Sequence, residues 1–246
     1  MRASIENAAR GIACGVLCFL AIGPAFAGSI AVNPIRVMLS ATRTTGALVV
    51  RNSGTEASVV QLQVVGWSQQ DGQDVYVPAT EVLATPPIFT VPAGGSQTVR
   101  IGLRQPADPR REVSYRVIMQ EVPPPPKPDF RGLQVALRFS VPIFVTPVVA
   151  SAPVLAWRAN LTSQGDLNVV AANTGNAHVQ VIKFKLASGG TELLPTVQPG
   201  AAYILTDQQR DWNLRFKSPP AAGSTLRVIA QTDAGDMHAD VVLAGS

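Results

Sequence analysis

The 246-residue chain sets 20 lysines and arginines against 16 aspartates and glutamates, a net charge of +4. So small an excess, with no basic run interleaved with aromatics, excludes a nucleic-acid-binding footprint. Twenty glycines and twenty prolines spread along the chain favour many short strands over long helices.

Residues 1–27 read as a signal peptide. Arg2 and Arg10 flank its start, 11–22 is mostly apolar, and Ala25-Phe26-Ala27 offers small residues at both positions a peptidase would read. The apolar run is shorter than the roughly 20 residues needed to cross a bilayer, so no stable membrane insertion is expected. Gly28 is then the first residue of an exported chain. Cys14 and Cys18 both lie in the leader, so the exported part has no disulfide and is held together by its apolar cores.

Residues 28–148 read as a first domain. Strands are predicted at 30–32, 36–39, 47–50, 58–67, 73–78, 89–91, 98–104 and 114–122, with turn chemistry at Arg51-Asn52-Ser53-Gly54. Gly94-Gly95 after Pro92 marks a hairpin bend; without a downstream lysine it is not a phosphate loop. This spacing of about seven strands fits an immunoglobulin-like sandwich. A proline run, Pro123 to Pro128, then introduces 133–141, in which Leu133, Val135, Leu137, Phe139 and Val141 recur at period two. This is the signature of a long strand with one continuous apolar face, either buried in the chain's own core or offered to a partner's sheet.

Residues 149–246 read as a second β-sandwich. Strand candidates fall at 157–159, 167–172, 179–184, 203–205, 212–216, 226–231 and 238–243, punctuated by glycines, and no internal repeat is evident. The fold class expected is all-β, with two immunoglobulin-like sandwich domains.

Chemistry is sparse. His178 and His238 are far apart and lack cysteine partners, so no metal site is expected, and Asn176-Ala177-His178 reads as a surface turn. No serine sits in a nucleophile elbow, so catalytic residues and cofactors are both expected to be none. The arginines are more informative. Arg36 is expected within a strand that begins after a proline, and Arg116 and Arg138 interrupt apolar strands; each could face water, or together they could grip a carboxylate through forked hydrogen bonds.

Taken in order, Asn33-Pro34-Ile35-Arg36, Ala84-Thr85-Pro86-Pro87-Ile88-Phe89, Pro92-Ala93-Gly94-Gly95, Tyr115-Arg116, Glu121-Val122-Pro123-Pro124, Leu133-Gln134-Val135-Ala136-Leu137 and Phe144-Val145-Thr146-Pro147 resemble the periplasmic pilus-assembly chaperones of the chaperone-usher pathway. The resemblance implies two domains set at an angle, residence in the periplasm, and pilus subunits and an outer-membrane usher as partners. It also implies that Leu133, Val135, Leu137 and Phe139 form the donated face, and that Arg36 grips the subunit's terminal carboxylate. Where the best-known members carry a lysine, this chain has Pro142. That departure resembles the archaic branch, with spore-coat-like subunits, in which other basic residues hold the terminus; Arg116 and Arg138 are then the candidates. The alternative is an exported two-domain adhesin or pilus structural component, which would enter the surface polymer itself.

Overall fold

The computed structural model describes residues 30–125 and 135–245, so the leader, Gly28 and Leu133 lie outside the described residues. Every regular element among the described residues is a strand.

The first sandwich pairs β1 (Ile30–Asn33), β3 (Thr45–Asn52), β8 (Ser96–Leu103) and β6 (Val82–Thr85), in that order, in one sheet. The facing sheet runs β2 (Val37–Leu39), β10 (Arg138–Val145), β9 (Val113–Val122), β4 (Ser58–Gln70) and β5 (Gln73–Pro78), with β7 (Ile88–Val91) also on β4. Alternation decides the core: Leu48 and Val50 of β3 and Val99 and Ile101 of β8 meet Val60 and Leu62 of β4, Val117 and Met119 of β9, and Ile143 of β10, all buried. Between β7 and β8 the expected bend is present. Gly95 N–H donates to Pro92 O at 2.9 Å, and Gly94 takes a φ of 68°, which favours glycine there.

The alternating run 133–141 is not a single strand. β10 starts at Arg138 and continues to Val145, while 135–137 has no regular structure. Leu137 nevertheless exchanges bonds with Glu121, its carbonyl accepting from Glu121 N–H at 2.9 Å and its N–H donating to Glu121 Oε2 at 3.2 Å. Period two says which face a side chain would present, not where the backbone finds partners, so pattern and pairing part company here. Arg36 likewise lies one residue ahead of β2 rather than within a strand. The short strand β6 was not expected.

The second sandwich holds β11 (Leu155–Leu161), β12 (Leu167–Asn173) and β16 (Gln209–Leu214) in one layer. The other layer holds β14 (Thr191–Leu193), β13 (Val179–Ser188), β17 (Thr225–Thr232) and β18 (Gly235–Ala244), with β15 (Ala202–Ile204) also on β13. A short parallel pairing of β11 with β18, Ala159 opposite Leu243, joins the layers at one edge. Trp157, Phe184 and Trp212 fill the centre, with ring centroids 5.0–6.1 Å apart.

Both sandwiches use the same local device. β3 ends at Asn52-Ser53-Gly54 and β12 at Asn173-Thr174-Gly175. Asn52 Oδ1 accepts from Gly54 N–H at 2.9 Å while its Nδ2 donates to Glu56 O and Val91 O. Asn173 Oδ1 accepts from Gly175 N–H at 3.0 Å while its Nδ2 donates to Ala177 O and Ile204 O. A buried amide at a strand end thus satisfies carbonyls that the ladder leaves open.

Candidate binding face at the domain junction

β2 is only three residues long, and its parallel pairing covers Ile143–Val145 of β10 alone. Among the described residues, nothing else pairs with the side of β10 opposite β9, so the edge from Arg138 to Pro142 is open. An open edge presents unpaired backbone groups to any incoming strand. Pro142 sits on this open stretch, the kind of strand position in which a proline is tolerated. Arg36, the residue before β2, marks the point where the edge opens.

One face of the sheet is basic. Register sets Arg116 of β9 opposite Pro142, and Arg138 opposite Gln120, so these side chains share the face that carries Phe144 and Met38. The Arg36 guanidinium lies 5.8 Å from the Phe144 ring centroid and 5.8 Å from that of Tyr203. Arg116 stacks over Trp67 at 3.7 Å and lies 5.9 Å from Tyr203, while its Nη1 donates to Ser140 Oγ at 3.1 Å. The fold therefore gathers Arg36 and Arg116 around one tyrosine. Arg138 stands four positions from Pro142 along β10, about 13 Å at a rise of about 3.3 Å per residue, exposed and outside this pair.

The face ends in the second sandwich. Trp67, Phe144 and Leu205 form a small buried cluster with Met38 and Tyr203 packed against it. Gln69 bridges the domains, its Nε2 donating to Tyr203 O and its Oε1 accepting from Leu205 N–H, both at 3.0 Å. Arg210 of β16 donates to Gly72 O at the β4–β5 turn.

Four charged groups lie beside this cluster. Arg36 Nη1 donates to Asp233 Oδ2 at 2.7 Å. His178 Nδ1 meets Glu112 Oε1 at 2.6 Å, and its ring lies flat on Phe144, with centroids 3.4 Å apart and planes 5° apart. The expectation that His178 is a surface residue is therefore wrong: it is buried, with Glu112 and Asp233 on either side. Its partners come from 66 and 55 positions away, and nothing local in Asn176-Ala177-His178 announces them.

Burial alone would lower the His178 pKa, but the Asp233 and Glu112 carboxylates outweigh it and hold the imidazole above its ordinary value. Burial would raise Asp233, yet His178, the Gln180 N–H and Arg36 together pull it down to about 2. The two contributions to stability therefore have opposite signs. That of Asp233 is present above its unfolded value of about 3.9 and is lost as pH falls through about 2. That of His178 is present below its unfolded value of about 6.5 and is lost as pH rises through its raised folded value. Thermal unfolding followed from about pH 2 to pH 9 should give a broad maximum in the acid-to-neutral range, and His178→Gln should flatten the alkaline limb and, by removing one of the groups that lower Asp233, move the acid limb to higher pH. An unchanged alkaline limb would separate the imidazole from stability.

Residues 29–150, the open-edged sandwich with its basic face, match the family described as pili and flagellar-assembly chaperone, PapD N-terminal domain. The chain belongs to the pilus-assembly chaperone family. No curated protein matches the sequence. Among solved structures it is similar to a chain of the CsuC–CsuE chaperone–tip adhesion subunit pre-assembly complex from the archaic Csu pili of Acinetobacter baumannii. That likeness has 18% identity and a TM-score of 0.65, covering 87% of this chain and 99% of the other. It is also similar to the E. coli chaperone DraB (20% identity, TM-score 0.59, 89% and 98% covered). A third likeness is to the Salmonella enterica complex of SafA pilin with the SafB chaperone (18%, 0.61, 88% and 98%). At these identities the structures speak to the fold, two sandwich domains in one chain.

For a pilus-assembly chaperone the apolar run ahead of β10 is the segment of interest, and its face is graded. Val141, Ile143 and Val145 are buried in the first sandwich. Phe139 and Leu137 are half-buried against the same core, and Val135 is 65% exposed. The residues that pattern reading missed are Glu112, Tyr203, Asp233 and Trp67. All meet the arginines or His178 through tertiary contacts alone.

Proposed function

We propose that this chaperone captures a pilus subunit at the open edge of β10, acting in the periplasm and handing its cargo to an outer-membrane usher. The observation that supports this reading is the coincidence of an unpaired edge, Arg138 to Pro142, with a cationic group, Arg36, at the place where β2 stops. A subunit strand entering there with its carboxylate at Arg36 would take up the line of β2 and run parallel to β10. Its backbone would satisfy the open edge, while the face formed by Leu133, Val135, Leu137 and Phe139 would complete its core. The two sandwiches, 28–148 and 149–246, act as one frame around the site, after removal of a leader ending at Ala27. Neither nucleotide nor metal enters the cycle; release follows when another strand replaces the donated one. The complexes of the A. baumannii and Salmonella chaperones join such proteins to a tip subunit and a pilin, which supports a subunit as this chain's partner class. With Pro142 where a lysine would stand, Arg116 is the second group of the anchor and Arg138 a more distant one, an arrangement that favours the archaic branch.

Arg36→Ala should weaken subunit binding by roughly 2 to 5 kcal/mol, because a carboxylate desolvated at the junction loses its forked partner. A subunit with an amidated C-terminus should lose a similar amount on the unmodified chaperone and little more on the variant. Calorimetric titration of all four combinations checks this. Equal affinities throughout would reject the anchor, and incorporation of the chain itself into fibres would favour the structural-component alternative.

A further inference from the structure

Arg36 is occupied. Its Nη1 bonds Asp233 Oδ2 at 2.7 Å, and its Nη2 lies 3.2 Å from Gln180 Oε1 and 3.4 Å from the Tyr203 hydroxyl. An incoming carboxylate meets a carboxylate already in place. The same Oδ2 lies 3.6 Å from His178 Nε2, a buried ring nitrogen with no hydrogen-bond partner. Closing that gap to a charge-assisted bond requires a shift of less than about 1 Å. Asp233 Oδ1, meanwhile, accepts from Gln180 N–H at 2.7 Å and keeps the carboxylate tethered while Oδ2 changes partner.

We propose that Asp233 is a built-in occupant of the Arg36 site, and that the His178 imidazolium receives it when a subunit's carboxylate takes its place. This rests on the reading that Arg36 anchors a subunit terminus. The imidazole is placed for the exchange. Glu112 Oε1 faces Nδ1 and also accepts from His178 N–H at 3.0 Å, while stacking on Phe144 fixes the ring plane. With carboxylates at both nitrogens, only the doubly protonated ring donates to each. A neutral ring that keeps its proton on Nδ1 turns a lone pair toward Asp233, and Asp233 then stays on Arg36.

The groups facing the ring are Glu112 from the segment before β9, Asp233 from the β17–β18 turn, and Tyr203 of β15, whose ring centroid is 5.9 Å away. Arg36 faces it through Asp233, and Phe144 of β10 brings no charge. Binding an anion at Arg36 beside this set favours the proton on His178, so by linkage capture strengthens as pH falls and weakens as pH rises through the imidazole's range. Asp233 and His178 are positioning residues: they set the availability of Arg36 without touching the subunit.

The test uses the full mature chaperone and a pilus subunit recovered in denaturant from its complex with this protein, in free and C-terminally amidated forms. Affinity is measured from about pH 6 to pH 9, with the chaperone's thermal transition followed at each point. The free subunit should bind roughly 5- to 10-fold more weakly at the alkaline end, and the amidated one should show no such slope. Asp233→Asn, which keeps an oxygen for Gln180, should bind the free subunit roughly fivefold more tightly at alkaline pH and lose the slope. His178→Gln should be flat at the weak, alkaline level. A flat profile for the unmodified chaperone, or an Asp233→Asn affinity equal to it, while amidation still weakens binding, overturns the exchange and leaves the anchor standing. Indifference to amidation overturns the anchor and the exchange with it. Should either variant fail to fold, the contrast between free and amidated subunits across pH decides alone.

Discussion

Val135→Glu is expected to abolish subunit capture while leaving the chaperone's own thermal transition unchanged within about 0.5 kcal/mol. The side chain is 65% exposed and ahead of the first residue of β10, so the free fold has nothing to lose there. In a subunit groove the same position would bury an unpaired carboxylate. The cost is the lost apolar transfer, about 1.5 to 3 kcal/mol, together with a desolvation penalty of several kcal/mol. Leu137→Glu and Phe139→Glu differ in kind, since both side chains are half-buried against the first sandwich's core and should lose stability as well as capture. Co-expression with a subunit, scored for complex recovery beside a melting curve of each variant, separates these positions. Normal capture by Val135→Glu would remove it from the donated face, and collapse of that variant's fold would assign it to the core.

Phe144→Ala should be the most damaging single change to the fold. The ring is fully buried between the domains, with Trp67 at 5.9 Å, Tyr203 at 5.8 Å and the His178 ring flat against it. Truncation leaves a cavity bounded by both sandwiches and costs about 3 to 5 kcal/mol. Because that loss falls at the junction, scanning calorimetry should show one cooperative transition splitting into two, one for each sandwich core. A single transition displaced by less than about 1 kcal/mol would mean that the polar bridges, not the aromatic cluster, couple the domains.

Much of the fold is legible in the sequence because period two survives wherever one strand face is buried. β3, β8 and β17 alternate buried and accessible positions, β4 does so on either side of a phase change between Leu62 and Val65, and β9 breaks the pattern at the buried Val117-Ile118-Met119; each was found within a few residues. The short strands β6 and β14 escaped because three or four residues carry too little pattern to distinguish them from loop. The run 133–141 was over-read for the opposite reason. Its alternation is real, but 135–137 has no regular strand structure although Leu137 bonds to Glu121 of β9. The repeated asparagine device was visible as Asn-Ser-Gly and Asn-Thr-Gly, each at the end of an apolar alternation, and would have tied the two halves together. Of the candidate site, the arginines could be named in advance because a charge within an apolar strand stands out. His178, Glu112 and Asp233 could not, because what makes them a set is the approach of two domains.

The segment joining the sandwiches exposes the side chains of 148–152 but has a held backbone. Thr146 N–H donates to Leu39 O, Val149 N–H to Pro109 O, Ala152 N–H to Asn176 Oδ1, and Val154 N–H to Asn173 Oδ1. It lies so flat on the second sandwich that a Cβ on Gly175 would stand 2.3 Å from Ala152 O. Across the junction Glu112 N–H donates to Asn176 O at 3.0 Å and Asn176 Nδ2 donates to Arg110 O at 3.1 Å, so rotation of one domain against the other would break bonds to main-chain groups, not merely unpack side chains. The orientational entropy of setting two bodies around a third is therefore incurred during folding, before any partner arrives. Association draws on a preorganised frame, and more of its contact energy is left to appear as affinity.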